Sequence, residues 1–376
     1  MALRILHFAD LHLDRSFGDT GIVSSRIGTS RRNALREVLR RIVNMAKDLG
    51  VDYLTVGGDL YEHERASTDT GSFLRAEFER VSPTRVIIAP GNHDPFTVDS
   101  LYRQVDWPSN VTVVASPEVT RIETDSSVNM YGAAHVSPSN RDNLARGFQL
   151  HTPPPNVLLL HASDETSVPE GKACYCPLSP RDLTDAGFDL ALLGHYHRLR
   201  LPGPHHRIIA YPGSPEPLGF DEVGPHYALL IDIDGGHYSI EKRQTNMTDY
   251  RTGTVDVSGA ESRADIEDQI RRWAASHGAG NSYVRLSLTG DIRREVDLNT
   301  EALLDSCSSH FGFLLIRNQT YPRVEIDPGE PTVRGRFVRK IQEQRELAST
   351  SEERKQLENA LLYGLDALER REISAR

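Results

Sequence analysis

Short apolar runs alternate with longer stretches of helical periodicity along the first third of the chain. Leu3–Phe8 is apolar and closes on Ala9-Asp10-Leu11-His12, the pattern of a buried strand that delivers polar side chains at its carboxyl end. Ala34, Leu35, Val38, Leu39, Ile42, Val43 and Ala46 then recur at the spacing of one helical face, with Ser30 placed as N-cap and Gly50 as the stop. A second apolar run, 51–56, leads into Gly57-Gly58-Asp59. A polar helical stretch, 70–79, separates it from a third run, 85–89, which leads into Pro90-Gly91-Asn92-His93-Asp94. Strand and helix in alternation predict an α/β layer whose polar residues gather at the carboxyl ends of the strands, where open α/β sheets place their sites.

The pattern resumes further on. Residues 156–160 form an apolar run ending at His161, and residues 190–193 another, ending in Gly194-His195-Tyr196-His197. After Arg207 the texture changes to short runs broken by Pro and Gly, then to 227–233 and 237–242, read as antiparallel strands that finish the sheet system. The chain turns polar and patternless around 243–250, which places a boundary there. Beyond it, Ile266, Ile270 and Trp273 mark a helix, Val284, Leu286 and Leu288 a strand, Leu303, Leu304 and Cys307 a second helix, and 311–316 a second strand. Together with 253–257 these make a small α/β unit. The last stretch, after Gly335, is highly charged. It carries a capping box at Thr350 and Glu353, followed by Leu357, Leu361, Leu365 and Leu368 on one helical face, the signature of a helical tail folded as a hairpin.

Length and composition agree with this division. A chain of 376 residues, 38% hydrophobic and 26% charged, is an ordinary globular protein of two or three domains. Its formal net charge of −10 disfavours, at face value, a polyanionic partner such as nucleic acid. Three cysteines cannot build a disulfide framework, so a reducing cytoplasm is the expected compartment. The N-terminus meets Asp10 before a signal-peptide core develops, and no apolar run approaches the roughly 20 residues of a membrane helix, so no membrane association is expected.

Five islands share one chemical character, each placing His, Asp or Asn directly after an apolar run: Asp10-Leu11-His12, Gly58-Asp59, Gly91-Asn92-His93-Asp94, His161, and Gly194-His195-Tyr196-His197. A single such island is usually structural; five together point to a metal centre. A mixed carboxylate, amide and imidazole set suits Mn²⁺, Fe²⁺ or Zn²⁺ better than Ca²⁺. In Asp10-Leu11-His12 and His195-Tyr196-His197 the i, i+2 spacing would send both side chains to one side of an extended backbone, so that each pair grips the same cluster.

In this order the islands resemble the signature of the calcineurin-like metallophosphoesterase superfamily. The runs Ala9-Asp10-Leu11-His12-Leu13-Asp14, Gly58-Asp59-Leu60-Tyr61-Glu62 and Ala89-Pro90-Gly91-Asn92-His93-Asp94-Pro95 look most like DNA-repair exonucleases of the Mre11/SbcD group, in its YhaO-like branch. The motif resemblance covers roughly residues 3–245. It implies an α/β fold, a β-sandwich flanked by helices, with a nuclease domain over 1–245, a capping domain over 250–332 that selects the DNA end, and a helical tail over 335–376. It implies two divalent ions, Mn²⁺ first with Fe²⁺ or Zn²⁺ as alternatives: Asp10, His12 and His197 hold one, Asn92, His161 and His195 the other, and Asp59 bridges them. A pair of metals roughly 3.5–4 Å apart activates water and stabilises the in-line displacement at a phosphodiester. His93 is then the group that binds the scissile phosphate and protonates the leaving oxygen, and Asp94 its orienting partner.

The resemblance also implies DNA as substrate, a Rad50/SbcC-like SMC-type ATPase as partner docking on the Leu357–Leu368 face, and a homodimer. Many members of the group carry a strand-steering His three residues after the bridging Asp; here Glu62 stands there, with His63 next. Arg31, Arg32, Arg36, Arg40 and Arg41 read as a solvated helix face in preference to a phosphate-tracking stripe. His205-His206 and Cys174-Tyr175-Cys176 read as loop decoration, and Tyr211-Pro212-Gly213-Ser214 as turn architecture near the metals. Two rival functions remain: a phosphatase or phosphodiesterase acting on nucleotides or phosphoproteins, and a binding scaffold with a vestigial centre.

Overall fold

The computed structural model describes residues 3–18, 25–124, 128–168, 173–203, 208–235, 237–293, 295–323 and 330–368. The chain clusters into two compact units, residues 1–250 and 251–376.

In the first unit, β1 (Leu3–Phe8), α1 (Ser25–Leu49), β2 (Tyr53–Val56), α2 (Thr68–Arg80), β3 (Arg85–Ile88), α3 (Leu101–Gln104) and β4 (Val111–Val113) come first. They are followed by β5 (Thr120–Ile122), β6 (Asn129–Gly132), β7 (Asn156–His161), α4 (Pro180–Ala186), β8 (Leu190–Gly194), β9 (Ile209–Ala210), β10 (Tyr227–Asp234) and β11 (His237–Gln244). Six strands form one sheet in the order β11-β10-β1-β2-β3-β4, and five form a second in the order β5-β6-β7-β8-β9. Strands β1 to β4 are parallel neighbours, while β10 runs antiparallel to β1 and β11 to β10, as the Pro/Gly-broken texture after Arg207 predicts. The strands β4, β5 and β6 are three or four residues long, too short for a periodicity to show in the sequence.

The two sheets pack face to face. Ile5, Tyr53, Ile87, Leu229 and Ile231 from the first sheet share one core with Met130, Val157, Leu159, Leu190 and Leu192 from the second. Residues one step along the same strands face the other way: Leu158, Leu160, Ala191 and Leu193 pack with Leu183 and Ala186 of α4 in a separate core. This two-sided burial explains why these strands read as continuous apolar runs instead of alternating ones. The helical stripe Leu35, Val38, Leu39, Ile42, Val43 and Ala46 is fully buried, as its spacing requires.

Two features of α1 differ from expectation. The helix begins at Ser25, so Ser30 is an exposed interior residue and not its cap. Arg31 is neither a solvated nor a phosphate-tracking residue: its side chain is 1% exposed. Its Nη1 donates to Glu216 Oε1 at 2.8 Å and to Thr248 Oγ1, its Nη2 donates to the Pro217 carbonyl at 2.8 Å, and the guanidinium lies over the Phe17 and Tyr250 rings. Arg36 and Arg40 are paired with acidic side chains, Asp69 and Glu37 among them.

The second unit holds β12 (Tyr250–Asp256) from its second residue on, then α5 (Arg263–Ser276), β13 (Tyr283–Thr289), β14 (Asp291–Ile292), α6 (Thr300–Cys307), β15 (Phe313–Asn318), β16 (Tyr321–Pro322), α7 (Val333–Leu347) and α8 (Ser351–Leu368). The sheet β12-β13-β15 shares a core with α5 and α6 through Val255, Leu286, Leu314, Ile266, Ile270 and Leu303. The capping box read at Thr350 and Glu353 is formed: Glu353 N donates to Thr350 Oγ1, and the Glu353 carboxylate accepts from Thr350 N, both at 3.1 Å. On the α8 leucine face Leu365 is buried and Leu368 is 44% exposed. None of the described helices is long and apolar enough to cross a membrane.

Arg31→Ala strands the Glu216 carboxylate in a dry interior, so we expect a loss of about 3–5 kcal/mol in urea unfolding, with part of it recovered in Arg31→Met/Glu216→Leu. A single-mutant loss under ~1 kcal/mol would contradict the anchoring role.

Candidate metal centre

The carboxyl ends of β1, β2 and β3 lie side by side because those strands are parallel neighbours, and the carboxyl ends of β7 and β8 lie side by side in the second sheet. Asp10, Asp59 and Asn92-His93-Asp94 leave the first sheet there; His161 and His195 leave the second. The loops are tied to each other by their backbones: Asp10 N donates to Gly58 O at 3.0 Å, His12 N to Asp59 O at 2.9 Å, and His63 N to His93 O at 2.9 Å. The two sheets are stitched at the same place, where His195 N donates to the Asp10 carboxylate at 3.0 and 3.1 Å and His161 Nδ1 donates to Gly57 O at 2.8 Å.

This convergence requires unusual backbone. Asp10, His12, Asp59 and His195 have φ of 57°, 53°, 52° and 108°, the left-handed region that L side chains avoid. The i, i+2 pairs therefore do not converge by an extended backbone: β1 ends at Phe8 and β8 at Gly194, and the chain leaves each sheet in left-handed turns. Gly58, at φ 90°, has no room for a side chain, since a Cβ would sit 2.6 Å from His161 Nδ1.

Three sets of side chains close to within metal-binding reach: Asp10, His12 and His197; Asp10, Asp59 and His161; and His12, Glu62 and His93. The donor chemistry of the first two demands a cation. A carboxylate can only accept, so His12 Nδ1 donates to Glu62 Oε1 at 2.8 Å and His197 Nδ1 donates to Glu222 Oε1 at 2.6 Å. In the neutral rings the two Nε2 atoms then carry lone pairs, and they face each other at 3.3 Å with Asp10 Oδ1 3.9 Å from His197 Nε2. His161 Nδ1 is likewise committed to a carbonyl, and its Nε2 faces two acceptors, Asn92 Oδ1 at 3.0 Å and Asp59 Oδ2 at 3.3 Å. Asp59 Oδ2 also lies 3.6 Å from His12 Nε2, so this carboxylate spans both pockets. His195 donates Nε2 to Ala173 O at 3.3 Å, and its ring stands edge-on to His161 at 5.2 Å.

Without a cation, protons have to fill this role. Burial pulls His161 down, but the charge of Asp59 and its hydrogen bond outweigh burial and raise the ring to about 9. His93 follows the same balance: burial lowers it, the Glu62 hydrogen bond and the Asp59 charge raise it, and the result is about 9. Burial raises Asp10, whereas His161 and His12 hold Asp59 well below the carboxylate range against its own burial. Burial and the His161 charge lower His195 to about 3, which keeps it neutral. Divalent ions would displace the His161 proton by the same field, freeing its nitrogen as a ligand.

The family model for calcineurin-like phosphoesterases matches residues 3–199. The chain belongs to the calcineurin-like phosphoesterase family. Among curated proteins it is 27% identical over 275 residues to the uncharacterized metallophosphoesterase YhaO of Bacillus subtilis strain 168, covering 71% of this chain and 66% of that protein. It is 25% identical over 308 residues to the DNA double-strand break repair protein Mre11 of Methanopyrus kandleri, covering 72% of this chain and 63% of that protein. The chain thus spans just under two thirds of the length of both relatives. The crystal structure of TT1561 of Thermus thermophilus is matched over 64% of this chain and 99% of its own at 15% identity, with a TM-score of 0.38. A calcineurin-like phosphoesterase is a metal-dependent hydrolase of phosphate esters, and the facing lone pairs are consistent with divalent ions at this centre.

Within this phosphoesterase the geometry redistributes two roles. Asp94 does not orient His93. It is fully buried and accepts from Gly91 N at 2.6 Å, Asp59 N at 3.1 Å, Leu60 N at 2.6 Å and Tyr102 Oη at 2.6 Å, so it holds the Gly91–Asp94 turn against the Asp59 loop. The partner of His93 is Glu62, whose Oε2 accepts from His93 Nδ1 at 2.9 Å while Oε1 serves His12. Glu222 is the residue that motif spacing does not reveal; an acidic residue shortly after Tyr211-Pro212-Gly213-Ser214 is its only trace. His63 lies at the rim with Nε2 3.5 Å from Asp99. His205 and His206 lie outside the described residues, and among the described residues no cysteine joins a metal-type cluster.

In metal-free protein, the His93 ring should titrate near 9 by NMR, and Glu62→Gln should bring it down. Because the folded value exceeds the unfolded one, this pair's contribution to stability is complete below about 6.5 and lost as pH rises through 9. A wild-type midpoint at or below the ordinary histidine value would contradict the Glu62–His93 pairing.

Proposed function

We propose that this phosphoesterase is a two-metal phosphodiesterase acting on DNA, an Mn²⁺-dependent double-strand exonuclease and single-strand endonuclease in DNA repair. The observation that carries the reading is the pair of lone-pair pockets joined by Asp59, with His93 beside them. Asp10, His12 and His197 would hold one ion, and Asn92, His161 and His195 the other. The ions, when bound, polarise the phosphodiester and lower the pKa of water. The protein's own residues do the rest. His93, raised to about 9, carries both ring protons at neutral pH: Nδ1–H stays on Glu62, and Nε2–H can bind the phosphate and pass its proton to the leaving oxygen. The side chain is 44% exposed, which gives substrate access to it. Asp94 keeps the turn that carries Asn92 and His93 in register with Asp59.

The relative in Methanopyrus kandleri whose name specifies double-strand break repair supports DNA as the substrate. On this reading residues 1–245 are the nuclease domain, 250–332 an end-selecting domain and 335–376 a tail that docks a Rad50/SbcC-like ATPase, in a cytoplasmic homodimer. A net charge of −10 gives the chain little non-specific hold on DNA, so a partner supplies affinity. One observation favours the rival, a phosphatase acting on nucleotides or phosphoproteins: Glu62 stands where strand-steering nucleases present a histidine, and both its oxygens point inward, to His12 and His93.

With Mn²⁺, labelled linear duplex should be degraded, EDTA should stop the reaction, and His93→Ala should slow it by about 10²–10⁴-fold. Hydrolysis of bis(p-nitrophenyl) phosphate with intact DNA would overturn the nuclease reading in favour of the rival; undiminished cleavage by His93→Ala would overturn the role of His93.

A further inference from the structure

The two proposed pockets each take two imidazoles but are backed differently. In the pocket of Asp10, His12 and His197, both imidazoles rest on carboxylates, His12 on Glu62 and His197 on Glu222. In the pocket proposed for Asn92, His161 and His195, both imidazoles rest on neutral carbonyls, His161 on Gly57 O and His195 on Ala173 O, and His195 falls outside the three sets that close to within metal-binding reach. Carboxylate backing fixes the tautomer and raises the basicity of the ligating nitrogen more than a carbonyl does. The first pocket also includes a carboxylate ligand, Asp10, where the second has the neutral Asn92.

Glu222 is held for this purpose. Its side chain is 9% exposed, and among the described residues its charged partner is His197, not a lysine or arginine. The oxygen that does not touch His197 accepts from Ser214 Oγ at 2.7 Å and from Leu218 N at 3.0 Å, which stops the carboxylate from rotating away. Ser214 itself is anchored: its N donates to His197 O at 3.2 Å, and His226 Nδ1 donates to Ser214 O at 2.7 Å. Gly213, at φ 77°, allows that approach, because a Cβ there would lie 2.7 Å from His197 O. Backbone and side chain of His197 are thus clamped by one short loop.

We infer that the two metal pockets have unequal affinity, the carboxylate-backed pocket of Asp10, His12 and His197 filling first, and that Glu222 is the positioning residue that sets the difference. This rests on the two-metal reading above and adds to it an order of loading and a residue that governs it. The second ion is the exchangeable one, so the activity follows the free Mn²⁺ concentration at the carbonyl-backed pocket.

The test is Mn²⁺ titration of the EDTA-stripped full chain, with free ion followed by electron paramagnetic resonance. Wild type should bind two ions in two separated steps, and Asn92→Ala should weaken or abolish only the weaker. Glu222→Gln keeps the shape and removes the charge; it should weaken the tight step by about 10–100-fold and leave the weak step in place. Ser214→Ala, which loosens the same carboxylate, should weaken the tight step less and serves if Glu222→Gln misfolds by circular dichroism. Two equal steps in wild type, or an unchanged tight step in both Glu222→Gln and Ser214→Ala, would overturn the inference while leaving the two-metal reading intact. No Mn²⁺ binding by wild type would remove that reading itself.

Discussion

Two imidazole nitrogens that have given their only other hydrogen-bonding positions to glutamates cannot stand 3.3 Å apart, beside a buried carboxylate, without positive charge between or upon them. Much of the first unit serves this constraint. The strands β1, β2 and β3 are parallel so that Asp10, Asp59 and Asn92 emerge at one edge. The second sheet is pressed against the first so that His161 and His195 emerge opposite them. Left-handed backbone at Asp10, His12, Asp59 and His195 is the local cost of bringing these groups into reach. The two dry cores and the stitches between sheets overdetermine the positions and hold that strain.

The same logic explains why so many polar side chains are buried in the first unit. Asp94 is satisfied by three backbone amides and the Tyr102 hydroxyl. His135 sits behind His161, donating Nε2 to its carbonyl at 2.7 Å, and burial keeps its ring down near 4. Arg31 and Glu216 place another charged pair in the interior. Such networks add little net stability compared with an apolar core of equal volume, and removing one partner leaves the other buried and unpaired.

Net charge and local charge diverge in this protein. The chain is acidic overall, yet an occupied centre would present a positive field to a phosphodiester, with His93 at its edge. On the proposed function, affinity for a polyanion and catalysis on it would be separable, the former supplied by a partner and the latter by the metals.

The order of the five islands, the residue types in them and the apolar runs that precede them are local properties of the chain, and they made the fold class, the strand ends and the candidate ligands legible from sequence. What the tertiary structure alone decided is how these groups are paired. His12 and His197 are 185 residues apart, and whether they face each other depends on sheet order and loop closure, which leave no periodicity behind. Asp94 adjoins His93 in the chain, yet its carboxyl turns to the Asp59 loop, where the Asp59 and Leu60 amides needed an acceptor, and Glu62 takes the imidazole. Glu222 lies in a Pro/Gly-broken loop that no pattern marks, and only the approach of Ser214 to His197 brings it into contact. Arg31 looked like its surface neighbours because helical spacing cannot distinguish a residue at the edge of a buried stripe from one beyond it. Sequence specifies which groups are present at the ends of the strands; three-dimensional packing specifies which nitrogen donates a proton and which is left with a lone pair.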